Sequence, residues 1–167
     1  INYLGSEALE ELRAIAPRLT DYPAYIREFI ALGDRALSEG RKLPAAYYYR
    51  SAEFFLYAED PRKKPLRRKF VELALEAWGI RDGDRHAIPY QEGSREVSLP
   101  AYRFTPDHPK GKIVLFGGSD SYIEEFFPVL MVLKEAGYDV VCFDGPGQGG
   151  LLVEEGLAMT PDWHKPV

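Results

Sequence analysis

The segment that most limits how this chain can fold is residues 112–150, where two short apolar runs each end in a glycine-rich turn. Lys112–Ile113–Val114–Leu115–Phe116 leads into Gly117–Gly118–Ser119–Asp120–Ser121. Tyr138–Asp139–Val140–Val141–Cys142–Phe143 leads into Asp144–Gly145–Pro146–Gly147–Gln148–Gly149–Gly150. Continuous apolar runs of this length read as strands buried on both faces. Between them, residues 124–136 carry apolar side chains nearly all round a helix, and Gly137 stops it. Strand, turn, helix, strand is a βαβ unit with parallel strands and a right-handed crossover. Ligands of such sheets gather at the C-terminal ends of the strands, and both glycine turns sit there.

Upstream, residues 85–89 and 97–104 read as two further strands joined around Glu92–Gly93–Ser94. Before residue 80 the spacing is helical throughout. Ser6 can cap a helix that Pro17 ends, and Asp21 can cap one over 22–38 with Pro23 in its first turn. A third helix fits 44–59 and a fourth 61–78, stopped by Gly79. In the fourth, Leu66, Phe70, Leu73, Ala74 and Ala77 share one face. That spacing puts Arg62, Lys63, Lys64, Arg67, Arg68 and Lys69 on the opposite, solvated face rather than in an anion-binding patch. The third helix is unusually aromatic, from Tyr47 to Tyr57, which is more often core packing than a ligand box. The expected division is a helical region at 1–82 and an α/β region at 83–167.

Charge and composition exclude several classes. The net charge is −5, and the acidic excess falls after residue 80, so no nucleic-acid partner is expected. The richest apolar window, 126–133, is far too short to span a membrane and contains Pro128. Cys142 is the single cysteine, so neither a disulfide framework nor a cysteine metal site is expected. With no basic-then-apolar leader in the first ten residues, the expected setting is cytoplasmic. A chain beginning at Ile1 is expected to lack some N-terminal sequence.

Two chemistries suit the glycine turns. Gly145, Gly147 and Gly150 fit G-x-G-x-x-G after a strand, the pattern of a dinucleotide site. Against it, Pro146 stiffens the turn, and the next helix start is expected only near Pro161. Alternatively, the backbone N–H groups of Gly117–Gly118–Ser119 form an anion-binding concavity beside a helix N-terminus. Donors fixed in advance are what a developing oxyanion needs. A tight turn with no ligand is the third possibility for that segment.

The order of elements, with Leu115–Phe116–Gly117–Gly118–Ser119–Asp120–Ser121, Glu124–Glu125 and Asp144–Gly145–Pro146–Gly147–Gln148–Gly149, resembles the α/β-hydrolase superfamily. It is most similar to the branch holding 2,6-dihydroxypseudooxynicotine hydrolase and the fermentation-respiration-switch-type esterases. Leu32–Gly33–Asp34–Arg35–Ala36–Leu37 and Asp60–Pro61–Arg62–Lys63 resemble the helical region that precedes the core in that branch. The resemblance implies an α/β fold class: the N-terminal half of an α/β-hydrolase sheet, antiparallel hairpin plus parallel βαβ, preceded by a helical cap-like region. It implies a serine hydrolase of esters, amides or β-diketone-like C–C bonds, with a small-molecule substrate and no cofactor or metal. Gly118 N–H then becomes an oxyanion donor in the Gly117–Gly118–Ser119 turn. Asp120 becomes an active-site acid, unless it only caps the following helix. In the aromatic helix, Tyr48 and Phe55 are the candidates for lining the substrate pocket.

The triad of that superfamily is not legible. There is no G-x-S-x-G nucleophile elbow. The Ser119 turn follows the wrong strand, and His86, His108 and His164 read as structural or exposed, His164 in a helix. The nucleophile is therefore expected beyond Val167, and this chain alone is expected to be inactive. The Ile113–Phe116 strand should be left at a sheet edge, which needs more of the same sheet, a homodimer or a second chain to complete it. A helical interaction protein, binding a partner through residues 1–80, is the non-enzymatic alternative.

Overall fold

The computed structural model describes residues 4–167, and the chain forms two compact units that divide between Gly79 and Ile80. The first unit is helical: α1 (Ser6–Ile15), α2 (Tyr22–Ser38), α3 (Lys42–Phe54) and α4 (Lys63–Ala77). Asp21 caps α2 by accepting from Ala24 N–H at 2.7 Å. α1 begins differently from expectation, with Gly5 rather than Ser6 at the N-cap and no side-chain cap bond. Gly40 and Gly79 follow α2 and α4 with φ of 77° and 62°, left-handed geometry that glycine adopts without strain.

The core of this unit is aromatic. Tyr48, Tyr49 and Phe70 are buried, Tyr25 stacks on Phe29 at 4.2 Å, and Tyr47 meets Phe70 edge-on at 5.7 Å. One expectation needs correction: the basic stretch is not a uniformly solvated face. Arg67 is buried, and Lys63 ion-pairs at 2.6 Å with Glu53, which is fully buried and also takes Arg50 at 2.7 Å. Lys63 is drawn inward because α3 buries a carboxylate that must be paired.

The second unit is a four-stranded sheet. A hairpin of β1 (Arg85–Glu92) and β2 (Arg95–Phe104) turns at Gly93–Ser94, with Gly93 at φ 59°. β3 (Gly111–Leu115), α5 (Phe127–Glu135) and β4 (Tyr138–Phe143) are the expected βαβ unit, with β3 parallel to β4. The sheet order is β1-β2-β4-β3, β2 pairing antiparallel with β4. Tyr102 and Phe104 meet Phe127 on one face of the sheet. On the other, Val97, Leu99, Ala101 and Phe143 pack with Leu151 and Leu157.

Three details depart from expectation. β3 lies at the sheet edge as expected, but it is not buried on both faces: Val114 is 55% exposed. α5 starts at Phe127, after a 3-10 turn at Ile123–Phe126, because Pro128 can donate no N–H and its ring would clash with an α-helical carbonyl four residues back. A short helix, α6 (Gly149–Glu155), follows the second glycine turn directly, whereas His164 lies in a turn rather than a helix.

Candidate functional site

Parallel pairing sets Leu115 beside Cys142, so the two glycine turns emerge side by side at the C-terminal edge of the sheet. Their surroundings differ sharply. Gly118, Ser119 and Asp120 are exposed, whereas every residue from Cys142 to Gly150 is buried.

The buried turn is built around two polar side chains. Asp144 is 1% exposed, and its Oδ2 accepts from Gly150 N–H at 3.3 Å, at the start of α6. Gly149 passes so close that an added Cβ would lie 1.7 Å from Asp144 Oδ2. Gln148, 2% exposed, spans the two turns. Its Oε1 accepts from Gly145 N–H at 3.0 Å, and its Nε2 donates to the carbonyl of Gly117. Residues 157–163 fold back over the turn, where Trp163 Nε1 donates to Pro146 O at 2.9 Å.

The exposed turn is held by its own serine. Gly118 N–H donates to Ser121 Oγ at 2.8 Å, and that hydroxyl lies 3.2 Å from Gly118 O. A Cβ on Gly117 would fall 2.2 Å from Ser121 Oγ, so a larger residue there would push the hydroxyl off its place against Gly118. Ser119 and Asp120 belong to the same exposed turn, but Asp120 is not a helix cap. The N-cap of the next helical turn is Tyr122, whose N–H donates to Glu125 Oε1 at 2.8 Å. Thus Gly117, Gly118, Ser119 and Asp120 come together, with the Gly118 donor satisfied locally.

Tyr48 and Phe55 do not share a pocket. Tyr48 borders a cavity of about 250 Å³ with Leu12, Tyr25 and Phe29, and its hydroxyl donates to Glu11 Oε2 at 2.6 Å. Phe55 borders a different cavity of about 360 Å³ with Tyr22, Pro23 and Tyr57, and stacks on Tyr22 at 5.0 Å. The hydrogen bond to Glu11 makes Tyr48 a structural residue first. Burial and the adjacent carboxylate push its hydroxyl well above the usual tyrosine range.

The polar contacts behind the turns escaped sequence reasoning. Glu124 is 3% exposed and accepts from Tyr102 Oη at 3.0 Å, beneath α5. Burial, with the Glu124 charge, raises Tyr102; burial, with Asp144 and Glu124, raises the Cys142 thiol. Cys142 is therefore an unreactive buried thiol. Gln148 carried a usable signal, being a polar side chain inside a segment otherwise short enough to bury completely. Among the described residues, the acidic group formed by Glu7, Glu11 and Glu39 has the spacing of a metal site. Arg41 already neutralises it, at 2.8 Å from Glu11 and 2.5 Å from Glu39.

No protein-family profile matches the chain. Individual proteins do. It is 41% identical over 117 residues to hydrolase ffsE of Aspergillus flavipes, covering 63% of this chain and 26% of that protein. It is 34% identical over 198 residues to hydrolase phmG of Phaeosphaeria nodorum, covering 97% and 44%. With alpha/beta hydrolase gkaG of Penicillium citrinum the figures are 31%, 82% and 34%. Among solved structures, 2,6-dihydroxy-pseudo-oxynicotine hydrolase superposes with a TM-score of 0.62 at 22% identity, over 97% of this chain and 48% of its own. The chain is related to the α/β hydrolases. It spans less than half the length of these relatives. In α/β-hydrolase terms, the sheet edge bearing both turns is the one where such folds carry loops for ligand and oxyanion.

Proposed function

We propose that this chain is part of a serine-type α/β hydrolase acting on a small molecule through an ester, amide or β-diketone-like C–C bond. The exposed Gly117–Gly118–Ser119 turn supplies an oxyanion donor, Gly118 N–H, and Asp120 stands beside it to assist proton transfer. The helical unit serves as the substrate cap, with Phe55 the better candidate of its two aromatic residues for touching substrate. The observation that carries this reading is the placement of the Gly118 turn, beside a buried glycine turn, at the C-terminal edge of two parallel strands. The relatives named as hydrolases support it. Serine, acid and histidine of the triad come from residues outside this segment, because the segment holds no G-x-S-x-G. The open edge of β3 is where the remaining strands pair, in the same chain or, as the alternative, in a second copy.

The nucleotide-site reading is disfavoured by the turn's own packing. A Cβ at Gly145 would meet Trp163 at 2.5 Å, one at Gly147 would meet Met159 at 2.4 Å, and the Asp144 carboxylate fills the space at Gly149. No room is left for a pyrophosphate, and the carboxylate would repel one. The test of the hydrolase reading is intact mass before and after treatment with a fluorophosphonate. One adduct, mapped outside residues 1–167 of a protein heavier than 18.9 kDa, is the expected result. An unlabelled protein of 18.9 kDa would instead favour the helical-interaction reading.

A further inference from the structure

The peptide unit joining Gly117 to Gly118 is gripped at both ends. Its carbonyl oxygen accepts from Gln148 Nε2, and its N–H donates to Ser121 Oγ at 2.8 Å. Gly145 N–H, bound to Gln148 Oε1 at 3.0 Å, fixes which end of the Gln148 amide faces the Gly117 carbonyl. A peptide is planar, and in the trans form its C=O and N–H point in opposite directions. A donor seated on the oxygen therefore sets the direction of the N–H and, by polarising the amide, strengthens it as a donor.

We propose that Gln148 is a positioning residue that aims and strengthens Gly118 N–H as the oxyanion donor, with the Ser121 hydroxyl occupying that donor at rest. The inference rests on the hydrolase reading above. Ser121 suits the placeholder role because its hydroxyl also lies within hydrogen-bond reach of Gly118 O, so it keeps a partner when it swings off the N–H to admit substrate. Gln148 suits the other role because it is anchored within the buried turn, by Gly145 N–H, and reaches from there to the exposed one. With the direction of the N–H already set, only the Ser121 hydroxyl has to move aside when negative charge develops.

Gln148→Glu separates donation from packing. It keeps the size of the side chain and the acceptor for Gly145 N–H, but while ionised it cannot donate to Gly117 O. In the complete hydrolase, kcat for an activated ester should fall about tenfold at pH 8 with KM within about twofold, less than loss of an oxyanion donor itself. Activity should recover as falling pH protonates the introduced carboxyl and restores a donor. Gln148→Leu should stay low at every pH. In the same complete protein, Gly118 amide exchange should accelerate about tenfold in both variants, and in Ser121→Ala. Wild-type kcat at pH 8 in Gln148→Glu, or a loss that is flat with pH while Gly118 exchange is unmoved, overturns the proposal. A parent protein inert to fluorophosphonate removes the hydrolase reading instead, and Gly118 exchange alone then decides whether Gln148 holds this peptide.

Discussion

Gly33 sits inside α2, where helix propensity favours alanine by about 1 kcal/mol. The packing forbids it: an added Cβ would lie 2.6 Å from Tyr49 Cε1. That ring cannot yield, since its hydroxyl donates to Asp34 at 2.6 Å and Lys69 covers its face at 4.6 Å. Overpacking of this kind costs about 1–3 kcal/mol, so Gly33→Ala should lower stability despite the better propensity, as urea unfolding would show. Tyr48→Phe should cost about 2 kcal/mol by removing a part-buried bond to the charged Glu11, and a change in substrate preference at constant stability would contradict that assignment. Single residues were the least legible scale. Caps and stops such as Asp21, Gly40 and Gly79 follow from local chemistry and were readable, as was the Gly117–Asp120 turn. The partners of Tyr48, Gln148 and Glu124 are set by contacts across long stretches of chain, which spacing along the chain does not encode.

At the scale of elements, the sequence was much more informative, because period and glycine punctuation act locally. The hairpin, the βαβ unit and the four helices all stand where their patterns put them, with ends shifted by a few residues. Two errors have physical causes. β3 reads as doubly buried because its composition matches β4, yet exposure depends on what lies beside and above a strand. α6 was unexpected because Gly149, Gly150 and Gly156 bracket it; it forms because Gly150 N–H is bound by Asp144 and Gly156 ends it at φ 67°. The 157–163 segment then acts as a clasp on the second turn. Trp163→Phe should cost about 1 kcal/mol through loss of the bond to Pro146 O. Gly145→Ala should displace the indole, visible as a red-shifted tryptophan emission and a lower unfolding midpoint.

The whole molecule couples the two units to acid in the same way. In the helical unit, burial raises Glu11, but hydrogen bonds from Arg41, Tyr48 and Arg35 outweigh it and hold the carboxyl at about 2 instead of 4.5. In the sheet unit, Arg103 and Thr105 hold Asp139 at about 2 instead of 3.8. Both folded values lie below the unfolded ones, so the unfolded chain binds protons first as pH falls. The stabilisation is fully present above about pH 4.5 and is lost as pH drops toward 2. Circular dichroism at fixed urea should show both units weakening across that window; Glu11→Gln should flatten the response of the helical unit alone. No described helix is long and apolar enough to cross a membrane.

The buried turn also sets how this protein should age. Aspartyl–glycine bonds isomerise when the glycine nitrogen attacks the aspartyl carboxyl, and the chain holds two of them. Asp82–Gly83 is fully open to solvent, with an unhindered glycine. Asp144–Gly145 is locked: the Gly145 nitrogen is directed at Gln148, and the carboxyl is drawn to the start of α6. Stored protein should therefore accumulate isoaspartate at residue 82 long before residue 144. Damage at 144 becomes a record of how often the glycine turns have come apart, written into the covalent structure and readable by peptide mapping long after the event.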